Sequence, residues 1–203
     1  MRRLAVLLFA LVPCLAAAQG LPALHDVTGV GEEDVLNIRA GPSSAAPVIG
    51  TLAPDARGIE VVARSEAGTW GQVNTGERAG WASMRFLERQ PGQDESALPD
   101  PVRCFGTEPF WSLDVARSGL RLDGPGIARV ETPLAARSAA SGIRGRYGFA
   151  GENVADAVAV HGIVRREACT DGMSDRRFGL SLDLLVTSGG VLSQYAGCCS
   201  LAR

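Results

Sequence analysis

Apolar positions in this chain come in short alternating bursts, each cut off within a few residues by Gly, Pro, Asn, Asp or Ser. That period of two, with frequent breaks, predicts short strands and no long helix. In the first half it predicts strands over residues 35–38, 47–52, 59–63, 70–74 and 78–82, with 83–87 a tight turn and a last short extended piece. Arg39-Ala40-Gly41-Pro42 is a reversal between the first two, and 70–74 pairs with 78–82 as a hairpin across Thr75-Gly76-Glu77. In the second half the pattern predicts a hairpin of 110–115 with 119–123, then strands over 127–132, 142–149, 157–167, 178–186 and 191–196. Leu180, Leu182, Leu184 and Leu185 fit a helical period as well, so 178–186 is open to either reading. Between the halves, residues 90–102 are polar and Pro-containing with almost nothing to bury, which reads as a linker, flexible at QDES and stiffer near Pro99 and Pro101.

The start of the chain departs from this pattern. Arg2 and Arg3 precede an apolar run and then Ala16-Ala17-Ala18 before Gln19, the charged start, apolar core and small-residue site of a secretory signal peptide. The run is too short for a stable bilayer span. Cys14 raises acylation as a rival, but Pro13 stands where a small residue is wanted, and cleavage after Ala18 is the expectation. The mature chain then has 185 residues with 18 Arg, 22 acids and no Lys, a formal charge of −4. That sign argues against a nucleic-acid partner. Residues 19–100 carry 12 acids and 6 Arg, residues 101–203 carry 10 acids and 12 Arg, so two domains are expected: 19–89 and 103–203.

The strings LNIRAGPS, VIGTL, WGQV and AGWASMRFL, in that order, resemble the bacterial SH3 domain. The resemblance implies a small open β-barrel that binds cell-wall peptide, glycan or a protein partner and performs no catalysis. Candidate contact residues are Asn37, Arg39, Trp70, Trp81 and Ser83. The competing structural roles are core packing for Trp81 and Ile38, cover of a barrel edge for Trp70, and an ion pair of Arg39 with an acid such as Asp34.

Four cysteines lie beyond the signal: Cys104, Cys169, Cys198 and Cys199. An even number in an exported chain predicts two disulfides. Bridging the neighbours Cys198 and Cys199 would strain the chain, which leaves Cys104 with either of them and Cys169 with the other. No CxxC spacing supports a metal or redox site. The fold expected is all-β, an SH3-like barrel and then a disulfide-stapled antiparallel β domain. FGTEPFWSLDV, ACTDGMSDRRF and GCC resemble an uncharacterised family of bacterial exported or membrane-associated proteins, which implies no mechanism.

A second candidate site gathers Glu108, Trp111, Asp171, Asp175 and Arg176, with Ser174, near the cysteines. Paired carboxylates there suit a hard cation; the alternative is a turn in which Asp171-Gly172 bends the chain and Ser174 or Asp175 caps the next segment. His25 lies near the mature start and His161 in an apolar strand reads as a core histidine. No catalytic arrangement can be named, so no enzyme, cofactor or metal is expected. The expectation is a monomeric periplasmic or secreted binding protein with a wall component or envelope protein as partner. A small-molecule or lipid carrier in the second half is the alternative.

Overall fold

A computed structural model describes residues 20–125 and 127–201. The expected signal segment and Cys14 lie outside the described residues. The protein is all-β: among the described residues, regular structure consists of strands and one 3-10 turn.

The first half contains β1 (Ala23–Val27), β2 (Leu36–Arg39), β3 (Val48–Leu52), β4 (Ile59–Val61), β5 (Ala63–Arg64), β6 (Trp70–Thr75), β7 (Arg78–Ser83), the 3-10 turn Met84–Phe86, and β8 (Leu87–Arg89). They form two sheets, β4-β1-β8 and β3-β2-β7-β6-β5. Alternation does the sorting: Leu36, Ile38, Val73 and Ala82 turn inward to meet Val61, Ile59 and Leu87, while Asn37, Arg39, Trp70, Gln72, Trp81 and Ser83 stay on the outer face. The close approach of β7 to β2 needs a glycine. A Cβ on Gly80 would come within 3.0 Å of the Arg39 carbonyl oxygen and crowd Ile38 and Ile49.

Strand β1 is an addition to the expected set. Ala23, His25 and Val27 face the core, and the strand runs between β4 and β8, with His25 opposite Ile59 on one side and Arg89 on the other. His25 is fully buried. His161 reverses its expected role: Val158, Val160 and Val164 point inward, which leaves the histidine exposed on the outer face.

The second half contains β9 (Val102–Thr107), β10 (Phe110–Ala116), β11 (Gly119–Gly124), β12 (Ile127–Thr132), β13 (Leu134–Ala139), β14 (Arg146–Asn153), β15 (Val158–Cys169), β16 (Phe178–Ser188) and β17 (Val191–Leu201). Residues 178–186 are strand, which settles the open reading. Each strand pairs antiparallel with its sequence neighbour except at Pro133, where one extended run breaks into β12, paired with β11, and β13, paired with β14. The last strand returns to the first, Cys199 opposite Cys104 and Leu201 opposite Val102. The result is a nearly closed up-and-down barrel. Its interior is filled by side chains, among them Leu113, Leu122, Tyr147, Leu180, Leu182 and Leu184. At the closing seam a Cβ on Gly197 would strike the Phe105 carbonyl oxygen, so only glycine permits that approach.

Both cysteine bridges are formed, Cys104–Cys199 and Cys169–Cys198. Adjacent residues on β17 face opposite sides, so Cys199 joins the interior while Cys198 takes the outer side. Phe105, opposite Cys198, and Phe178, opposite Cys169, meet edge to face at 4.9 Å.

The segment expected to be a flexible linker is fastened to both halves. The Gln93 side chain accepts a hydrogen bond from the Leu24 backbone N–H at 2.7 Å and donates to the Leu24 carbonyl at 2.8 Å. The Tyr147 hydroxyl donates to the Glu95 carbonyl at 2.6 Å, Arg137 donates to the Leu98 carbonyl, and Leu98 itself is buried in the barrel core. Polar composition misled here because hydrogen bonds hold the segment, the Gln93 side chain to the Leu24 backbone and the segment's own carbonyls to Tyr147 and Arg137, with Leu98 and Val102 as apolar anchors.

Candidate functional site

Strand β2 presents Asn37 and Arg39 outward, and the β6–β7 hairpin presents Trp70 and Ser83 opposite one another. These four line a groove of about 450 Å³, with Asp34, Arg85 and Phe86 along its rim. The expected contact set is therefore brought together except for Trp81. That side chain is half-buried on the same sheet face, directly opposite Arg39 on β2 and Gln72 on β6, and outside both the groove and the core. Ile38 is a core residue, as expected, and is 1% exposed.

The Arg39 guanidinium donates to the Ala46 carbonyl at 2.7 Å and enters no ion pair among the described residues. The expected pairing with Asp34 is absent: Asp34 accepts from the Val35 N–H at 2.7 Å and shapes its own turn. One hydrogen bond thus orients Arg39 while most of its donor fork stays open, in one groove with the Trp70 ring. Such a pair suits a carboxylate lying across an apolar or sugar face. Arg85 and Phe86, which sequence reasoning left out, join the groove because the 3-10 turn folds back beside β2.

The second candidate set is dispersed. Trp111 is buried in the barrel core, and Glu108 is exposed at the β9–β10 turn. Glu108 and Asp171 do share a shallow depression beside the Cys169–Cys198 bridge. The Asp171 carboxylate is already saturated by its own loop: it accepts from the Met173 N–H at 3.1 Å, the Ser174 N–H at 2.8 Å and the Ser174 hydroxyl at 2.7 Å. Burial pushes that carboxyl up, and these hydrogen bonds with the nearby Arg176 outweigh it and hold the carboxyl below its ordinary value. Among the described residues no group of three or more His, Cys, Asp or Glu is placed to hold a metal ion.

Asp175 and Arg176 take a structural part instead. Asp175 exchanges backbone hydrogen bonds with the β6–β7 hairpin, receiving one from the Ala79 N–H at 3.0 Å and donating one to the Glu77 carbonyl at 2.9 Å. Arg176 donates to the Gly76 carbonyl at 2.7 Å and pairs with Glu77 at 2.8 Å. The loop between β15 and β16 is a clasp between the halves, anchored to the barrel through Cys169.

No curated protein and no solved structure matches the chain. Among the described residues no helix is long and apolar enough to cross a membrane. Two disulfides agree with an extracytoplasmic protein. The resemblance drawn for the second half finds no support among known proteins. The first half does match a family: residues 34–88 match the bacterial SH3 domain.

Proposed function

We propose that the protein is an exported, non-catalytic binding protein of the cell envelope, periplasmic or secreted, whose SH3 groove takes a carboxylate-bearing peptide of the cell wall. The SH3 match supports a binding module for a wall or protein partner. The observation that carries the narrower reading is Arg39, oriented by one carbonyl and without an ion pair among the described residues, in one groove with Asn37, Trp70 and Ser83. A planar guanidinium in one groove with an indole suits a peptide carboxylate in charge and geometry. The carrier alternative has less behind it, because large apolar side chains occupy the barrel interior.

The test is sedimentation of the full chain with purified peptidoglycan at moderate salt. Wild type is expected in the pellet, and Arg39→Ala and Trp70→Ala are each expected to lower the bound fraction severalfold with the melting temperature unchanged. Wild type remaining in the supernatant would reject the wall ligand and leave a protein partner, to be sought by pull-down from envelope extract using Arg39→Ala as the control.

A further inference from the structure

A cleft of about 970 Å³ opens at one end of the barrel, where Gly20 and Leu21 and the strap at residues 93–96 meet the β13–β14 loop. Its floor is rigid. Tyr147 is 1% exposed, and its hydroxyl donates to the Glu95 carbonyl and accepts from Arg166 Nε at 2.8 Å. Arg166 Nη1 donates to the Pro22 carbonyl at 2.9 Å, and the guanidinium lies against the Tyr147 ring, 5.9 Å from its centroid. Nη2 of this fixed guanidinium has no partner among the described residues.

The charges around the cleft do not balance. Arg144 and Arg146 line it and are exposed, and beyond the backbone bond from the Ala140 N–H to the Arg146 carbonyl at 2.9 Å their side chains take part in no hydrogen bond or ion pair among the described residues. Arg146 reaches an acid only through the longer-range field that helps hold Glu167 down. Of the two acids of the opposite wall, Glu95 is ion-paired while Asp94 keeps its charge, one against the three arginines of the cleft. Asp94 binds the Ser96 N–H at 2.8 Å and its hydroxyl at 2.7 Å, and Glu95 pairs with Arg89 at 3.1 Å and accepts from the Gly20 N–H. Leu21, Ala139, Ala140 and Ile143 supply an apolar side, with Ile143 54% exposed.

Cationic donors left open around a pre-organised arginine, beside an uncovered apolar wall, are what a molecule with one anionic end and one apolar end requires. Barrel mouths and seams between domains are also where small-molecule sites occur. We infer that this cleft binds a small amphiphilic anion, its carboxylate or phosphate held by Arg144, Arg146 and Arg166 and its apolar end laid against Leu21 and Ile143. The site is separate from the SH3 groove and from the filled barrel interior.

The test is calorimetric titration of the full chain at low ionic strength with octanoate and octyl phosphate, and with octyl glucoside as the neutral control. Saturable one-site binding of at least one of the two anions is expected. Affinity should fall by about tenfold or more in Arg144→Ala/Arg146→Ala, whose exposed, unpaired side chains can be removed without changing the melting temperature, and should be unchanged in Arg39→Ala. Sedimentation with phosphatidylglycerol or phosphatidylcholine vesicles separates the sources of the anion. Pelleting with the anionic vesicles alone, lost in the double variant, assigns a lipid headgroup; binding of the free amphiphile alone assigns a soluble one. Absence of saturation by both anions together with no vesicle binding would overturn the inference, as would equal binding of octyl glucoside or full affinity in the double variant.

Discussion

Asn74 and Arg177, 103 residues apart, exchange two hydrogen bonds: the Asn74 amide donates to the Arg177 carbonyl at 2.8 Å, and the Arg177 N–H donates to Asn74 Oδ1 at 3.0 Å. One side chain of the first half thereby satisfies both backbone groups of a residue in the β15–β16 loop. Next to it, the Asp175 backbone pairs with the hairpin edge at Arg78. Asn74→Ala is expected to lower global stability by only about 1 kcal/mol, since each bond lies near solvent. Local protection should change more. In hydrogen exchange, the amides of Asp175, Arg177 and Ala79 should open together and faster than in wild type, while those of β16 keep their protection.

The buried histidine predicts an acid-sensitive core. Burial pushes the His25 imidazole below its ordinary value of 6.5, the Ala23 carbonyl at 3.0 Å from Nδ1 opposes this, and the charges of Arg89 and Arg64 reinforce it against the weaker pull of Asp26. Nε2 has no partner. The folded state therefore holds the neutral ring while the unfolded chain takes up a proton near pH 6.5. Stability is complete above that pH and falls below it, at up to about 1.4 kcal/mol per pH unit. Denaturant titrations at about pH 7.5 and about pH 5.5, on either side of the ordinary imidazole value, should show this loss in wild type and not in His25→Leu. The lowered carboxyls of Asp26, Asp94, Glu131, Glu167 and Asp171 act in a separate window, because stability from a depressed carboxylate is lost only as the pH drops through and below the ordinary carboxylate range.

The two bridges are expected to differ in effect. Cys104–Cys199 closes a separation of 95 residues and Cys169–Cys198 one of 29. By chain entropy the first stabilises by roughly 4–5 kcal/mol and the second by roughly 3–4 kcal/mol. Paired Cys→Ala variants measured by denaturant unfolding should keep that order. Loss of Cys169–Cys198 should also raise exchange across residues 170–177, which the other pair should leave protected; equal loosening of that loop in both variants would argue against its anchoring role.

The matched family boundary is expected to fall short of a folding unit. Residues 34–88 omit β1, the strand that separates β4 from β8 and buries Ala23, His25 and Val27. A fragment cut there loses the middle of a three-stranded sheet and exposes both neighbouring edges. Circular dichroism and gel filtration should find it unfolded or aggregated, whereas the full chain is expected to remain monomeric.

Particular residues explain why some of this was legible beforehand and some was not. Strands β2, β3, β6 and β7 announce themselves through alternation and turn residues, and four of five expected contact residues share a groove because period-two spacing puts them on one face. The β1 segment, ALHDV, hides its alternation behind a histidine that looks polar and is buried. Strand β13, LAARSA, has little apolar content and is held by pairing with β14, a relationship of register that composition does not carry. Trp81 looked like a core residue on size alone, yet Gly80 and Ala82 on either side take the inward positions. The loop at 171–177 was noticed for its charges, and those charges serve a contact between halves that exists only once both have folded.

The pairing of the cysteines also bears on how the chain would mature under the proposed export. In order of emergence the thiols are Cys104, Cys169, Cys198 and Cys199, and the native pairs are nested, outermost with last. Oxidation keeping pace with export would join Cys104 to Cys169, a bond absent from the finished protein. Reaching the native arrangement then requires either that oxidation wait for β17 or that a thiol–disulfide exchange undo the early bond. The closing strand of the barrel is thus also the step that decides whether the chain arrives correctly oxidised.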